Sequence, residues 1–342
     1  MAASIGVAVI GVGHWGPNLL RSFDAPGRSE VLWVVDSNTE RLALVRSRFQ
    51  GADVSTDASR AFSDPRVDAV VIATPTVTHH RLAREALAMG KHVLVEKPLA
   101  SGVAEADELC QAAERADRVL MVGHVFLYNP GVLRVKEILD QRQLGDVHYV
   151  SMVRTNLGPI RGDVNAAWDL ASHDVSIANF WLGSVPYSVS AVGGSWINEH
   201  IEDAVFATLR YPGDVLVNLH VSWLNPRKVR DVTVVGEKAM LTFDDMSQTE
   251  PVRIYDKSVT QEREAAPYID SYASFRSHLK DGDITIPRVP HGEPLRAECD
   301  HFIDCVRDRT RPRTDGPFGV GVVRVLAALD RSMRERGQEM AV

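Results

Sequence analysis

A glycine-rich segment near the N-terminus has the residue types that hold a dinucleotide. Gly11, Gly13 and Gly16 follow a short apolar run and open a helical pattern. In such a segment the first glycine permits a tight turn, the second lets the backbone approach a pyrophosphate, and the third lets helix and strand pack closely. Free N–H groups at the start of the helix favour an anion at the same place. The segment predicts a phosphate-binding loop, with a chance turn as the alternative.

An acidic residue follows at the spacing that this loop requires. Asp36 ends the second apolar run, 20 residues beyond Gly16, where a carboxylate accepts hydrogen bonds from an adenosine ribose. Only Ser37 and Asn38 come next, with no arginine directly behind the acid to hold a 2′-phosphate. These residues predict NAD rather than NADP. A turn or helix cap for Asp36, and a site for FAD or S-adenosylmethionine, are the alternatives.

Two further polar segments come directly after apolar runs. Ala73-Thr-Pro-Thr-Val-Thr-His79 follows the third run and Glu96-Lys-Pro98 follows the next. In a doubly wound sheet, the loops after the carboxyl ends of the strands line the ligand crevice. We therefore expect both segments near the nicotinamide end of a bound dinucleotide.

Three side chains have the chemistry to handle a hydroxyl proton. The Lys97 ammonium can stabilise a developing alkoxide and relay a proton. Asp169 and His173 are four residues apart in a helical pattern and share one face. An imidazole, with an ordinary pKa of about 6.5, suits proton abstraction at neutral pH. From the residues alone, a surface lysine, a helix cap and a structural histidine are the alternatives.

The elements that position these residues alternate in the first third of the chain. Short β-branched runs and amphipathic helical patterns in alternation predict βαβ units and a parallel sheet. The predicted strands are Ile5–Ile10, Val31–Val35, Ala69–Ala73, His92–Val95 and Val119–Val122. The predicted helices are Trp15–Phe23, Thr39–Phe49, His79–Met89 and Val103–Arg115.

The pattern changes after about residue 124. Asn129 and Pro130 predict the capped start of a helix that ends near Asp140, and a second helix is predicted over Asp169–Trp181. Turn residues at Tyr211–Asp214 and Gly236–Lys238 then separate strands that predict an antiparallel sheet. The predicted strands are Val185–Asn198, Ala204–Tyr211, Val215–Trp223, Val229–Val235, Ala239–Phe243 and Val252–Tyr255.

The last part of the chain is predicted to be a polar loop followed by two helices. Residues 257–292 are rich in Asp, Ser and Pro and only weakly periodic, which indicates a long loop. The helices are predicted near Pro294–Arg307 and Pro317–Arg334. A chain of 342 residues exceeds what one core usually supports. We expect an α/β protein with a Rossmann domain over residues 1–124 and a second domain over 125–342, whose last helix can return to the first.

Composition narrows the class of partner. The formal charge is -7 and the basic residues are scattered, which argues against nucleic acid or an anionic membrane surface. The densest basic group is predicted to be a solvated face rather than a phosphate site. It consists of Arg307, Arg309, Arg311 and Arg313. We expect a small-molecule substrate.

Cysteine usage and targeting signals point to the cytoplasm. The three cysteines, Cys110, Cys299 and Cys305, are too few for a disulfide framework and are not spaced for zinc, which indicates a reducing compartment. No metal site is expected, because the side chains of the adjacent His79 and His80 diverge. The sequence has no signal-peptide pattern and no apolar run of about 18 residues that could span a membrane.

Together, these motifs resemble the Gfo/Idh/MocA oxidoreductases. The resemblance rests on Gly11–Gly16, on Ala73-Thr-Pro75 with His79, on Glu96-Lys-Pro98, and on Asp169-Leu-Ala-Ser-His173. It implies an N-terminal Rossmann domain and a C-terminal α/β domain with a large, mostly antiparallel sheet. That sheet often forms dimers or tetramers in the family, so the resemblance also implies a homo-oligomer.

A narrower similarity is to the branch acting on nucleotide-linked sugars, such as UDP-N-acetylglucosaminuronic acid 3-dehydrogenases. It implies oxidation of a sugar ring hydroxyl, at C3, with NAD. A keto-sugar reductase, an inositol or free-sugar dehydrogenase, and a non-catalytic dinucleotide or sugar sensor are the alternatives. The segments that carry it are Gly13-His-Trp-Gly-Pro-Asn18, Gly123-His-Val-Phe-Leu-Tyr-Asn129, Gly158-Pro-Ile-Arg161, Asp163-Val-Asn165 and Trp168-Asp-Leu170.

The resemblance assigns roles to individual residues. Lys97, His173 and Asp169 would be catalytic, with Lys97 and His173 acting over one face of the nicotinamide. Arg161 would hold a uronic carboxylate or a diphosphate and Asn165 a hydroxyl, unless both are ordinary loop residues. The predicted cofactor residues are Gly11, Gly13, His14, Trp15, Gly16, Asp36, Thr74, Pro75, His79, Glu96, Lys97 and His124. The predicted substrate residues are Lys97, Tyr128, Arg161, Asn165, Asp169 and His173.

Overall fold

The computed structural model describes residues 4–49, 51–259 and 279–342. Contacts divide the chain into two compact units. Unit 1 is Met1–Tyr128 with Gly292–Ala327, and unit 2 is Asn129–His291 with Ala328–Val342. Residues 125–128 and 292–327 group with the first unit here, whereas the predicted division had the first domain end at residue 124 and allowed only the last helix to return to it.

Unit 1 contains a six-stranded parallel sheet in the order β3-β2-β1-β4-β5-β6. Its central strands are buried on both faces, as a sheet covered by helices requires, and Val9, Val70 and Val93 are fully inaccessible. The five predicted strands are confirmed, and only the three-residue β3 was missed. The strands are β1 (Ile5–Ile10), β2 (Ser29–Val35), β3 (Asp53–Ser55), β4 (Ala69–Ile72), β5 (His92–Glu96) and β6 (Leu120–Gly123).

Helices connect these strands, and residues 292–327 near the end of the chain add further helical residues to this unit. The four helices predicted in this region are confirmed within one or two residues, and the six-residue α3 was missed. The connecting helices are α1 (Gly16–Phe23), α2 (Thr39–Arg48), α3 (Ala58–Ser63), α4 (His79–Ala88) and α5 (Val103–Ala116), with 3-10 turns at Thr76–Thr78 and Val125–Tyr128.

Unit 2 begins with a helix whose cap was readable from the sequence. The Asn129 side chain accepts hydrogen bonds from the backbone N–H groups of Gly131 and Val132, which confirms the predicted N-cap. The helix that was predicted over Asp169–Trp181 is also present, but it opens with a π-helical turn. The helical segments are α6 (Pro130–Asp140), the π turn Ala167–Ala171 and α7 (Ser172–Leu182).

A nine-stranded sheet completes unit 2, in the order β14-β13-β12-β11-β7-β10-β9-β8-β15. All its neighbours pair antiparallel except β7 and β10, so the mostly antiparallel sheet and both hairpin turns are confirmed. The strands are β7 (Val147–Leu157), β8 (Ser188–Gly194), β9 (Ala204–Tyr211), β10 (Val215–Ser222), β11 (Leu224–Gly236), β12 (Met240–Asp244), β13 (Val252–Val259), β14 (Leu279–Thr285) and β15 (Met340–Ala341).

The sequence did not indicate β7, although it lies between two long strands. Its alternating pattern is obscured because Arg154 and Thr155 are buried polar residues within it. The Arg154 guanidinium is compensated by Asp174, whose carboxylate is 2.7 Å away. A buried ion pair of this kind replaces the apolar residue that a sequence pattern expects.

The long loop predicted over residues 257–292 is wrong at two places. Strand β13 extends to Val259, and β14 pairs with it antiparallel; residues 260–278 lie outside the described part. The two closing helices are confirmed as α8 (Pro294–Asp308) and α9 (Gly316–Arg334). Among the residues that the structure describes, none of the helices is both long enough and apolar enough to span a membrane.

Candidate active site

The predicted cofactor residues follow successive strands of the unit 1 sheet. Taken in the order β2, β1, β4, β5 and β6, the strand ends are followed by Asp36, Gly11, Ala73, Lys97 and His124. Because all these strands are parallel, their carboxyl ends meet at one edge of the sheet. The sheet therefore brings together residues that are far apart in the sequence.

The glycine loop leaves space where a dinucleotide phosphate needs it. Gly11 has a φ of +94°, and a Cβ there would be 2.7 Å from the Ala73 carbonyl oxygen. A Cβ on Gly16 would be 2.5 Å from the Gly11 oxygen. A Cβ on Gly13, by contrast, would meet nothing closer than an Arg41 nitrogen at 3.8 Å. Gly11 and Gly16 are thus required by the turn itself, whereas the open space at Gly13 fits a pyrophosphate against the backbone.

The Asp36 carboxylate holds this loop in place. It is buried and accepts hydrogen bonds from the backbone N–H groups of Val12, at 2.7 Å, and Asn38, at 2.8 Å. The cap of α2 is Asn38 rather than Asp36, so the helix-cap alternative for Asp36 is wrong. An Arg41 guanidinium nitrogen is 3.6 Å from the carboxylate. Asp36 therefore has a cationic neighbour, Arg41, which is five residues further along the sequence.

His79 connects the two nicotinamide-side loops. Its ring nitrogens lie 2.9 Å from the backbone oxygens of Pro98 and Thr74, and the side chain is buried. The Thr74 hydroxyl is 2.6 Å from that of Thr78, while Pro75 is exposed. His79 therefore fixes the loops that follow β4 and β5.

The Glu96 side chain links the glycine loop to the Lys97 loop. Its carboxylate accepts hydrogen bonds from the Trp15 side chain and from the Lys97 backbone N–H. Burial raises the pKa of Glu96 to about 7, against the opposing effect of the Lys97 charge. Lys97 itself is half-buried, and both Trp15 and His14 are exposed. The amine is thus held beside a carboxylate whose charge changes near neutral pH.

Two aromatic candidates are buried within unit 1. Burial, reinforced by the Lys97 charge, lowers the pKa of His124 to about 3, so its ring is neutral and packs edge-on against Phe318. Tyr128 stacks under Arg313, with the guanidinium 4.7 Å from the ring centre, and burial raises the pKa of its hydroxyl. These contacts hold both rings in the core of unit 1, while neither ring nitrogen of His124 has a hydrogen-bond partner among the described residues.

Unit 2 contains the second predicted set, around the π turn. The Asp169 carboxylate accepts hydrogen bonds from the Trp223 indole N–H, at 3.1 Å, and from Arg161, at 3.3 Å. His173 follows in the first turn of α7 and is half-buried. The structure therefore fixes the orientation of Asp169, while the joint action of His173 with Lys97 stays a prediction.

The Arg161 guanidinium is already neutralised. It forms a two-pronged ion pair with Asp163, with N–O distances of 2.9 and 2.6 Å, in addition to its bond with Asp169. One cation is therefore shared by two carboxylates. The guanidinium donors that face Asp163 and Asp169 are therefore engaged, which leaves Arg161 less able to hold a further carboxylate.

The Asn165 amide serves as a cross-link inside unit 2. Its nitrogen donates to Glu202, at 2.8 Å, and to Asp330, at 3.0 Å, while its oxygen accepts from the Trp168 backbone N–H. Both amide hydrogens are used, so the donor needed to read a substrate hydroxyl is engaged. The geometry favours the alternative of a structural residue.

Two contributors were not predicted from the sequence. Asp163 had a signal for its pairing with Arg161, because it is only two residues further along the chain. Trp223 gave no signal, because a tryptophan at the end of a predicted strand is ordinary there.

Comparisons with known proteins agree with these two units. A family described as an oxidoreductase family with an NAD-binding Rossmann fold, GFO_IDH_MocA, matches residues 5–124. A GFO/IDH/MocA C-terminal domain matches residues 132–242.

Individual relatives cover nearly the whole chain. The UDP-N-acetylglucosamine 3-dehydrogenase of Acidithiobacillus ferrooxidans is 31% identical over 94% of this chain and 93% of its own. A myo-inositol 2-dehydrogenase of Thermotoga maritima is 23% identical, over 84% and 89%. The crystal structure of GenD2 from gentamicin A biosynthesis, in complex with NAD, superposes with a TM-score of 0.83 at 27% identity and covers 100% of this chain and 97% of its own.

The space at Gly13 gives a first testable prediction. We expect Gly13→Ala to raise the Kd for NAD about tenfold or more, because its methyl group would occupy the room left for the pyrophosphate. The free energy of unfolding should change by less than about 0.5 kcal/mol, because the nearest protein atom would be the Arg41 nitrogen at an unstrained 3.8 Å. Calorimetric NAD titration and urea unfolding measure the two effects. Gly51→Ala, also in open space, is the matched control, and NAD affinity equal in both variants would contradict the assignment.

Proposed function

The chain belongs to the Gfo/Idh/MocA family of NAD-dependent oxidoreductases, and on that premise we propose that it oxidises carbon 3 of a nucleotide-linked N-acetylhexosamine. The observation that carries the proposal is the edge of the unit 1 sheet, where the open glycine loop follows β1 and Lys97 follows β5, two parallel strands with only β4 between them. The substrate class is taken from the relative at 31% identity, which is a UDP-N-acetylglucosamine 3-dehydrogenase.

The residues of this chain would divide the work of handling a hydroxyl. Bound NAD supplies the hydride acceptor. The Lys97 ammonium stabilises the negative charge that grows on the substrate oxygen. The His173 imidazole takes up the hydroxyl proton at a ring nitrogen. Asp169, held by Trp223 and Arg161, presents a fixed carboxylate edge to a neighbouring hydroxyl.

The charge around Arg161 favours a neutral sugar over a uronic acid. Two carboxylates already share this guanidinium, so a third carboxylate would have to compete with them for its donors. We therefore replace the expected role of Arg161 as a clamp for a uronic carboxylate by a role in orienting Asp169.

An inositol or free-sugar dehydrogenase is the second candidate. It is favoured by the likeness to a myo-inositol 2-dehydrogenase at 23% identity. The same reaction in reverse, reduction of a keto-sugar, is a third. Initial rates of NADH formation with UDP-N-acetylglucosamine, free N-acetylglucosamine and myo-inositol, and of NADH consumption with the corresponding keto compounds, separate the three.

Lys97→Met is expected to lower kcat with UDP-N-acetylglucosamine at least about 100-fold, because an uncharged side chain cannot stabilise the alkoxide. The Kd for NAD should stay within about twofold, because methionine keeps the length of the side chain. Steady-state rates of NADH formation and NAD titration measure the two quantities.

Lys238→Met, in the exposed turn between β11 and β12, is the control for loss of a lysine. The double variant with His173→Asn tests shared action: if both groups serve one hydroxyl, the two losses will not add. Near-normal turnover of Lys97→Met would remove that residue from the mechanism.

The ion-pair cluster predicts a change of specificity. Asp163→Asn should free one edge of the Arg161 guanidinium to pair with a carboxylate. We expect kcat/KM for UDP-N-acetylglucosaminuronic acid, relative to UDP-N-acetylglucosamine, to rise about tenfold. Asp163→Glu, which keeps the negative charge, is the control. An unchanged ratio in Asp163→Asn would contradict the argument from charge.

We further propose that the chain forms homo-oligomers through the open face of the unit 2 sheet. Val192 on β8 is the register partner of Phe206 on β9, and Leu216 on β10 is that of Tyr149 on β7; all four side chains are between 39% and 52% exposed. The Phe206 ring stacks on His220, 4.4 Å away. Exposed apolar pairs on an open sheet face are typical of an interface, and a second copy of the same sheet is the partner that we propose for them.

Phe206→Glu is expected to shift the protein to a smaller species in sedimentation velocity, because a charge would be buried in the interface. The fold should persist, because position 206 is exposed within the single chain. Leu44→Glu, on the exposed side of α2, is the matched control. An unchanged sedimentation coefficient for Phe206→Glu would place the interface elsewhere.

A further inference from the structure

A glutamate of α8 is buried without any hydrogen-bond partner. Glu298 is completely inaccessible to solvent, and neither of its carboxylate oxygens has a partner among the described residues. An ionised carboxylate in such a place is strongly unfavourable, because its charge has been removed from water. The site therefore favours the protonated form of Glu298.

A second acceptor without a donor belongs to Glu96. Its Oε1 atom is buried and has no partner among the described residues, whereas Oε2 accepts from the Lys97 backbone. Gly123, the register neighbour of Glu96 on β6, leaves the room, because a Cβ there would be 3.0 Å from Oε2. Glu298 and Glu96 thus contribute three acceptor oxygens that lack a donor.

The two carboxyl groups act on each other electrostatically. Burial raises the pKa of Glu298 well above its ordinary value, and the charge of Glu96 raises it further. Lys97 acts on Glu96, and Glu298 adds to the burial that raises the pKa of Tyr128 and Cys299, which are also near Arg313 and Arg296 respectively. Among the described residues, Lys97 is the cation that acts on the pair itself, so one negative charge on the pair balances it.

We propose that Glu298 carries a proton at neutral pH and donates a hydrogen bond from its carboxyl group to the Glu96 carboxylate. This one proton turns one Glu298 oxygen into a donor and gives the buried Oε1 atom of Glu96 the donor that it lacks. It also leaves the negative charge on Glu96, next to Lys97. Glu298 is then a positioning residue that acts on the Lys97 ammonium through Glu96. Its effect on catalysis presupposes the function proposed above.

The pH profile of turnover distinguishes a neutral from an ionised Glu298. In Glu298→Gln the amide replaces a neutral donor, so we expect kcat within about twofold of the natural chain and an unshifted acid limb. In Glu298→Met the donor is lost, so the ionised form of Glu96 is less stable. The acid limb should move up by about one pH unit, and kcat at neutral pH should fall about tenfold. The proposal therefore predicts that Glu298→Gln keeps the turnover and the acid limb that Glu298→Met loses.

Two readouts do not depend on any substrate. The infrared C=O band of protonated carboxyl groups should be present at pH 7 and weaker in Glu298→Gln. A carboxyl whose pKa is raised by folding holds its proton in the native state and loses it in the unfolded state. Stability therefore falls as pH rises from the ordinary value through the raised one. The urea concentration at the unfolding midpoint of Glu298→Gln should therefore rise relative to that of the natural chain as pH increases over this range.

Three results would overturn the proposal. An acid limb that moves down in Glu298→Gln would mean that a negative charge had been removed. An infrared band that Glu298→Gln leaves unchanged would mean that Glu298 is ionised. Glu298→Met with natural turnover would remove the link to Lys97. If no sugar is turned over, the infrared and urea measurements still decide the protonation state of Glu298, so failure of the proposed function is seen separately.

Discussion

Parallel pairing of six strands is the constraint on which the rest of unit 1 depends. Because every strand runs the same way, the loops after β2, β1, β4, β5 and β6 must all emerge at one edge. The adenosine-side acid, the glycine turn and the lysine loop therefore line up in the order in which a dinucleotide would need them. Glycine at 11 and 16 is then dictated by the close approach of backbone atoms, and only Gly13 is left for the ligand.

The second constraint is the balance of buried charge. In unit 1 a carboxylate lies beside Lys97, and a further carboxyl group is enclosed behind it. In unit 2 Arg161 is shared by Asp163 and Asp169. Each arrangement fixes a side chain by giving it charged or polar partners. Each also limits which charged groups of a substrate can bind beside it. A hydroxyl can be accommodated next to such groups, whereas another carboxylate cannot without a matching cation.

Much of this was readable from the sequence because local patterns and chemistry agree. The short apolar runs of unit 1 are strands buried on both faces, and the glycine spacing and the Asn129 cap depend on the backbone alone. The rest depends on partners distant in the chain. Strand β7 was hidden by the Arg154–Asp174 ion pair, Glu298 has the appearance of a surface helix acid, and the pairing of Asn165 with Asp330 joins residues 165 positions apart. No local pattern records such contacts.

The central claim is that this edge of the sheet supports removal of hydride from carbon 3 of a nucleotide-linked N-acetylhexosamine. The most direct measurement uses UDP-N-acetylglucosamine carrying deuterium at carbon 3, with NAD and the purified protein, followed by mass spectrometry of the dinucleotide and the sugar. The account predicts deuterated NADH and a sugar lighter by the deuterium and the hydroxyl hydrogen. Unlabelled NADH, or a sugar that keeps its deuterium while NADH forms, would contradict it.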